Sequence, residues 1–190
     1  MIWLFFSLAV LIGAFVFQVA TYRTDKSNWA YKTYRNIFLF AALAVFLFYL
    51  YLVFAQYLAW RGGGELTKFL VPPYRSILYV FGYHFTRFGL YYLVSLAAAA
   101  FFLFSSIRLN RRFGDRFFEP EEPYLGALSV FLLGNPIWNY AWIYYLAAVI
   151  LVAVIATGYQ LLVTKENRRF SLYYLWLPLA IAVILIKSFA

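Results

Sequence analysis

Long apolar blocks separated by short charged stretches organise this chain. Residues 2–22 carry no charge, and their roughly 20 residues match the ~30 Å hydrocarbon thickness of a bilayer at 1.5 Å per helical residue. No Lys or Arg precedes this block, and Phe17-Gln18-Val19-Ala20 places Gln where cleavage wants a small residue, so it reads as an uncleaved span. Further apolar blocks at 37–60, 88–107, 124–134, 143–163 and 170–186 predict an all-α transmembrane bundle of about six spans. The length suits one integral membrane domain, residues 1–190, with no room for a separate soluble one.

The punctuation between blocks is specific. Gly62-Gly63-Gly64 breaks the second block after Trp60-Arg61. Pro72-Pro73 is excluded from a helix interior but can open one. From Tyr74 to Ile107 the chain could run as one helix of about 50 Å, longer than the hydrocarbon. Arg75, Tyr79, Tyr83 and Arg87 then share one face, with Ile77, Phe81, His84, Phe85 and Phe88 opposite. The first part of that helix is expected to lie in the interface as an amphipathic helix, or to project from the membrane. Glu119-Pro120-Glu121-Glu122-Pro123 has the form of a helix start, with proline in the first turn and acids at the positive dipole end. Asn135-Pro136 is a turn with a built-in cap, and the aromatic run 137–142 suits the headgroup layer. The block 124–134 is short, and a five-span arrangement would make it re-entrant.

Composition agrees with the block pattern. The chain is 66% hydrophobic and 12% charged, where a soluble domain carries about 25% charged residues. The absence of Cys removes disulfides, thiolate catalysis and Cys-ligated metals. A net charge of +9 would suggest nucleic acid in a soluble protein, but here the bases flank apolar blocks and point to topology and anionic lipid. Loops 23–36, 108–123 and 164–169 hold four, four and three bases, eleven of the sixteen. Those loops are therefore expected to be cytoplasmic, with both termini outside. The expected partners are the lipid bilayer with its anionic lipids, and a membrane protein or membrane-anchored substrate; nucleic acid is not expected.

Candidate chemistry is sparse. His84 is the single histidine and cannot build a histidine-rich metal site, so neither metal nor cofactor is expected. His84 and Arg87 read as interfacial and snorkelling groups. Arg108, Arg112 and Arg116 fall at helical spacing beside Arg111, a cluster suited to lipid phosphate or to orienting the chain. Asp25 follows the first block, and Asp115, Glu121 and Glu122 precede the fourth. Two carboxyls brought together at the membrane face can share a proton and work as acid and base on a water.

Two short patches carry a resemblance. Ala20-Thr21-Tyr22-Arg23-Thr24-Asp25-Lys26 resembles the polar stretch after the first span of prepilin and preflagellin peptidases, which are six-span aspartyl enzymes. Phe113-Gly114-Asp115, followed by Tyr124-Leu125-Gly126-Ala127-Leu128-Ser129, is loosely similar to the Gly-x-Gly-Asp motif opening their fourth span. Arg112 stands at the first Gly of that motif, and Asp115 lies nine residues before Tyr124. Anchoring on Tyr124-Leu125 instead brings Glu121 and Glu122 near the catalytic position. The resemblance implies Asp25 with Asp115, Glu121 or Glu122 as catalytic acids.

The leading expectation is a small polytopic membrane protein in a non-catalytic or accessory role, because the blocks are nearly empty of buried polar groups. A membrane aspartyl endopeptidase and a lipid- or small-solute-handling protein are the alternatives.

Overall fold

The computed structural model describes residues 2–21, 27–114, 117–160, 162 and 171–189. Among them there are helices and turns and no strand. The helices are α1 (Ile2–Thr21), α2 (Ser27–Gly62), the single turn α3 (Glu65–Lys68), α4 (Ile77–His84), α5 (Leu90–Arg112), α6 (Glu122–Leu132), α7 (Ala141–Tyr159) and α8 (Trp176–Phe189). A π-turn, Phe85–Gly89, joins α4 to α5 without interrupting the rod. Three helices are long and apolar enough to cross a membrane: Trp29–Gly62, Ile77–Arg112 and Ala141–Tyr159.

Helices α1, α2, α5 and α8 each bury one stripe at mainly three- and four-residue spacing, the signature of a packed helix face. The stripes are Ser7, Leu11, Ala14 and Gln18 on α1; Ala30, Tyr34, Phe38, Ala41 and Val45 on α2; Tyr92, Ser95, Ala99, Leu103, Ser106 and Asn110 on α5; and Trp176, Leu177, Ala180 and Ile184 on α8. Small residues recur on every stripe and let neighbouring backbones approach closely, as packing between apolar helices requires. The opposite faces leave large apolar side chains outward, including Leu39, Leu43, Leu47, Phe101, Phe104, Leu151 and Val154. Such a belt suits hydrocarbon and not water.

Helix α6 is the axis of the bundle. All eleven of its residues are buried, enclosed by α5, α2, α8 and α7. At 1.5 Å per residue it spans only about 16 Å, half of the hydrocarbon. Beyond the regular helical ladder, two of its last carbonyls are met by serines from two other helices. Ser7 donates to the Leu132 carbonyl at 3.3 Å, and the Ser95 hydroxyl shares its proton between the Phe131 carbonyl at 3.2 Å and the Tyr92 carbonyl of its own helix at 3.1 Å. Asn135 then caps the short 3-10 turn Pro136–Trp138 by accepting from the Ile137 N–H at 3.0 Å.

Several expected boundaries shift. Residues 27–36 are not loop: α2 begins at Ser27 because the apolar stripe Ala30, Tyr34, Phe38 continues through the charged stretch and is buried. Arg108, Arg111 and Arg112 belong to the last turns of α5 and not to a loop. The helix within block 124–134 runs from Glu122 to Leu132. Within 143–163 the α-helix starts earlier, at Ala141, and closes at Tyr159; within 170–186 it starts later, at Trp176. Pro72-Pro73 lies in the turn before α4, whose cap is Ser76, accepting from the Leu78 N–H at 3.3 Å. The single helix expected from Tyr74 to Ile107 is present as one rod, Ile77–Arg112, 36 residues long.

The second half of α2 leaves the bundle and pairs with α4. This arm has a small core of its own, Val53, Val71 and Val80, packed by Tyr57, Trp60 and Phe81.

Candidate functional site

The buried acids of the interior, with Gln18 and Asn110 nearby, gather where α6 begins. Proline at its first turn and the flanking acids set this start, as the sequence pattern predicts. Glu121 and Glu122 are both buried, and the Glu122 side chain is fully enclosed. The Ser171 hydroxyl lies 2.8 Å from Glu119 Oε1 and 3.2 Å from Glu122 Oε1, and accepts from the Tyr173 N–H at 3.3 Å. A hydroxyl has one proton to donate, so it can satisfy one of these carboxylates at a time. Burial pushes the Glu121 carboxyl above its ordinary value, and the negative charge of Glu119 adds to that rise.

A tyrosine layer lies over the same helix start. Tyr31 and Tyr124 pair through their hydroxyls at 3.1 Å, with their rings edge to face at 5.0 Å. Tyr34 and Tyr173 are paired likewise at 3.4 Å. Gln18 of α1 donates from Nε2 to the Tyr173 carbonyl at 2.6 Å; its Oε1 has no hydrogen-bond partner among the described residues. Gln18 and Ser171 therefore fix Tyr173 from its carbonyl and its N–H. Neither Ser171 nor this Gln18 bond was singled out in the sequence. A glutamine amid an apolar stripe is the one signal that could have found the latter.

Asn110 holds the chain as it leaves α5. Its Oδ1 accepts from the N–H groups of Phe117 and Phe118, both at 3.0 Å, and its Nδ2 donates to the Phe118 carbonyl at 2.9 Å. This clamp brings Glu119 back toward α6. A cleft of about 420 Å³ opens here, lined by Tyr31, Asn110, Arg111, Phe118 and Glu119 among others.

Of the expected acids, Glu121 and Glu122 share this helix start, while Asp25 and Asp115 lie outside the described residues. Arg108, Arg111 and Arg112 are exposed at the end of α5, where cations favour the helix dipole; Arg116 lies outside the described residues. Arg108 and Arg111 border a shallow groove with Phe104 and Ile107. His84 is at the far end of the molecule, edge-on to the Tyr83 ring at 5.3 Å, with Arg87 donating to the Tyr83 hydroxyl at 2.7 Å. No cluster of three metal-ligating side chains occurs among the described residues. The chain matches no protein-family profile, no curated protein and no solved structure.

Proposed function

We propose that the chain is a polytopic integral membrane protein that acts as a structural or accessory component. Six apolar segments enter the membrane, with α6 as a half-length element enclosed by the others, and the base-rich ends near Lys32, Arg111 and Lys165 lie in the cytoplasm. The observation that carries this reading is the partition of polarity. Apolar side chains cover the outside, whereas Ser7, Ser95, Ser129 and Tyr145 spend their hydroxyls on backbone carbonyls inside. Such hydroxyls hold helices together; they do not line a path for a solute.

Because the chain has no native cysteine, single cysteines report topology directly. Lys32→Cys, Arg112→Cys and Lys165→Cys should react with an impermeant maleimide only from the cytoplasmic side. Lys68→Cys and Lys187→Cys should react only from the other. Mixed labelling at the first three positions would overturn the arrangement.

The buried acids at the α6 start favour a second reading, a membrane aspartyl endopeptidase using Asp25 with Asp115, Glu121 or Glu122. Under it, Asp25→Asn and Glu122→Gln each abolish cleavage of a membrane-anchored substrate while leaving the topology intact. The exposed Arg108, Arg111 and Arg112 favour a third, a lipid-handling protein. Exchanging these for Gln then abolishes lipid-phosphate binding without altering orientation.

A further inference from the structure

The α2–α4 arm reaches well past the rest of the bundle. Tyr91 of α5 stacks on Tyr140 at 5.1 Å, which sets the start of α7 level with Tyr91. The rod continues from there back to Ile77, roughly 20 Å further at 1.5 Å per residue. Among the described residues this extension packs chiefly on α2, around a core of three buried valines.

The surface of the tip has an uncommon composition. Leu66 is 84% exposed and Leu78 is 72% exposed, with Phe69 and Tyr74 also largely outward. The same tip carries Arg61, Lys68 and Arg75, all exposed, against the single acid Glu65. Just below lies an aromatic and cationic ladder: Trp60 packs on the rings of Tyr79 and Tyr83, and Arg75 and Arg87 lie over those same two tyrosines at 5.4 and 4.3 Å. Bases beside exposed apolar side chains, above a Trp–Tyr layer, are the chemistry of the lipid headgroup boundary.

We propose that the tip of the arm, residues 61–78, is an anchor for anionic phospholipid. The 36-residue rod Ile77–Arg112 is longer than the hydrocarbon is thick and tilts in the membrane, so that Leu66, Phe69, Tyr74 and Leu78 enter the boundary between headgroups and acyl chains, and Arg61, Lys68 and Arg75 take the phosphates. Charge selects this occupant: three bases and one acid match an anionic leaflet, each base near such a surface contributing about 1 kcal/mol of attraction. The anchor is separate from the Arg108–Arg112 cluster, at the opposite end of α5. It rests on the membrane reading above.

Spin labels on single cysteines test the two independently. The full chain carries the label at Leu66→Cys or, on the outward face of α7, at Val154→Cys. It is reconstituted in phosphatidylcholine vesicles with or without phosphatidylglycerol. Collision with oxygen against a water-soluble nickel chelate gives the depth of each label. With phosphatidylglycerol, the Leu66 label should sit at the headgroup–acyl boundary. Its oxygen-to-nickel ratio should drop several-fold in phosphatidylcholine alone, and equally in a Lys68→Gln/Arg75→Gln variant. The Val154 label should stay in the acyl region throughout, which also verifies that the variant is folded. A Leu66 label in water in both lipids, beside a lipid-buried Val154 label, overturns the anchor and leaves the membrane reading standing. Equal depth in both lipids overturns the phosphate pairing. Dipolar broadening between Leu66 labels marks self-association and overturns lipid as the occupant. Water at both labels overturns the membrane reading itself.

Discussion

The hydroxyl of Ser95 occupies the space that a side chain on Gly134 would need. Ser95 donates to the Phe131 carbonyl from this position, and a Cβ at Gly134 would overlap both its Oγ and its Cβ. The α5–α6 contact therefore depends on Gly134 having no side chain. Gly134→Ala should destabilise the protein by about 1–3 kcal/mol, the usual range for overpacking. Adding Ser95→Gly should recover part of the loss, because the two positions compete for one volume. Thermal unfolding in detergent of the two single variants and the double variant checks this; additive losses would contradict it.

A similar contact holds the middle of α6. A Cβ on Gly126 would lie 2.9 Å from Cζ of Phe102 and 3.0 Å from Cζ3 of Trp176. The two rings pack on each other at 5.3 Å, so neither can yield freely. Gly126→Ala should lower the unfolding temperature and shift tryptophan fluorescence, while Gly13→Ala on α1, where a Cβ meets nothing within 4 Å, should do neither.

Removal of the Asn110 side chain should free the segment that carries Glu119. Asn110→Ala deletes three hydrogen bonds to Phe117 and Phe118 and leaves their backbone groups without those partners. A cost of roughly 2–4 kcal/mol is expected, since each stranded buried group costs about 1–3 kcal/mol and water re-enters in part. Hydrogen exchange should accelerate locally at Phe117 and Phe118. An unchanged exchange pattern would mean that the clamp is not what orders this segment.

Stability should fall as pH rises through the Glu121 titration. Its carboxyl is raised from the ordinary value of 4.5 by burial and then by Glu119, so the folded protein holds this proton more tightly than the unfolded chain. Below the ordinary value both states are protonated and the contribution is fully present; it is lost as pH climbs through the raised value. Glu121→Gln should remove this dependence and raise the unfolding temperature by a few degrees at neutral pH. A steeper decline in the variant would show that the sign is wrong.

The sequence makes some of this legible and hides the rest. Helix starts with a local chemical signature are readable: Pro123 with its acids at α6, Asn135 at the following turn. The start of α2 is hidden because charged residues overlie its apolar period. Lys32 and Arg35 look like loop, yet Ala30, Tyr34, Phe38 and Ala41 already keep helical spacing and are buried. The enclosure of α6 is hidden for another reason. Its residues read as a short span, and only the packing of four other helices shows that all eleven are enclosed by protein. Gly126, Ser129 and Gly134 were the available hint, because small residues at close spacing permit contact on every side. The meeting of Glu119 and Glu122 at Ser171, some fifty positions later, has no local signature at all.

The enclosure of α6 also bears on how the protein is made. A nascent chain emerges in order, so α6 is synthesised before α7 and α8 exist. At that moment the cavity that will hold it lacks two walls, and its two flanking acids have not met Ser171. An eleven-residue helix is too short to be handed to lipid as a conventional stop-transfer segment. Under the proposed membrane reading it waits at the membrane surface, as an unfinished insertion, until α8 arrives. Truncations that end before Trp176 should therefore leave α6 open to protease from the side where it was synthesised, and the last helix, not the sixth, becomes the step that commits the chain to its fold.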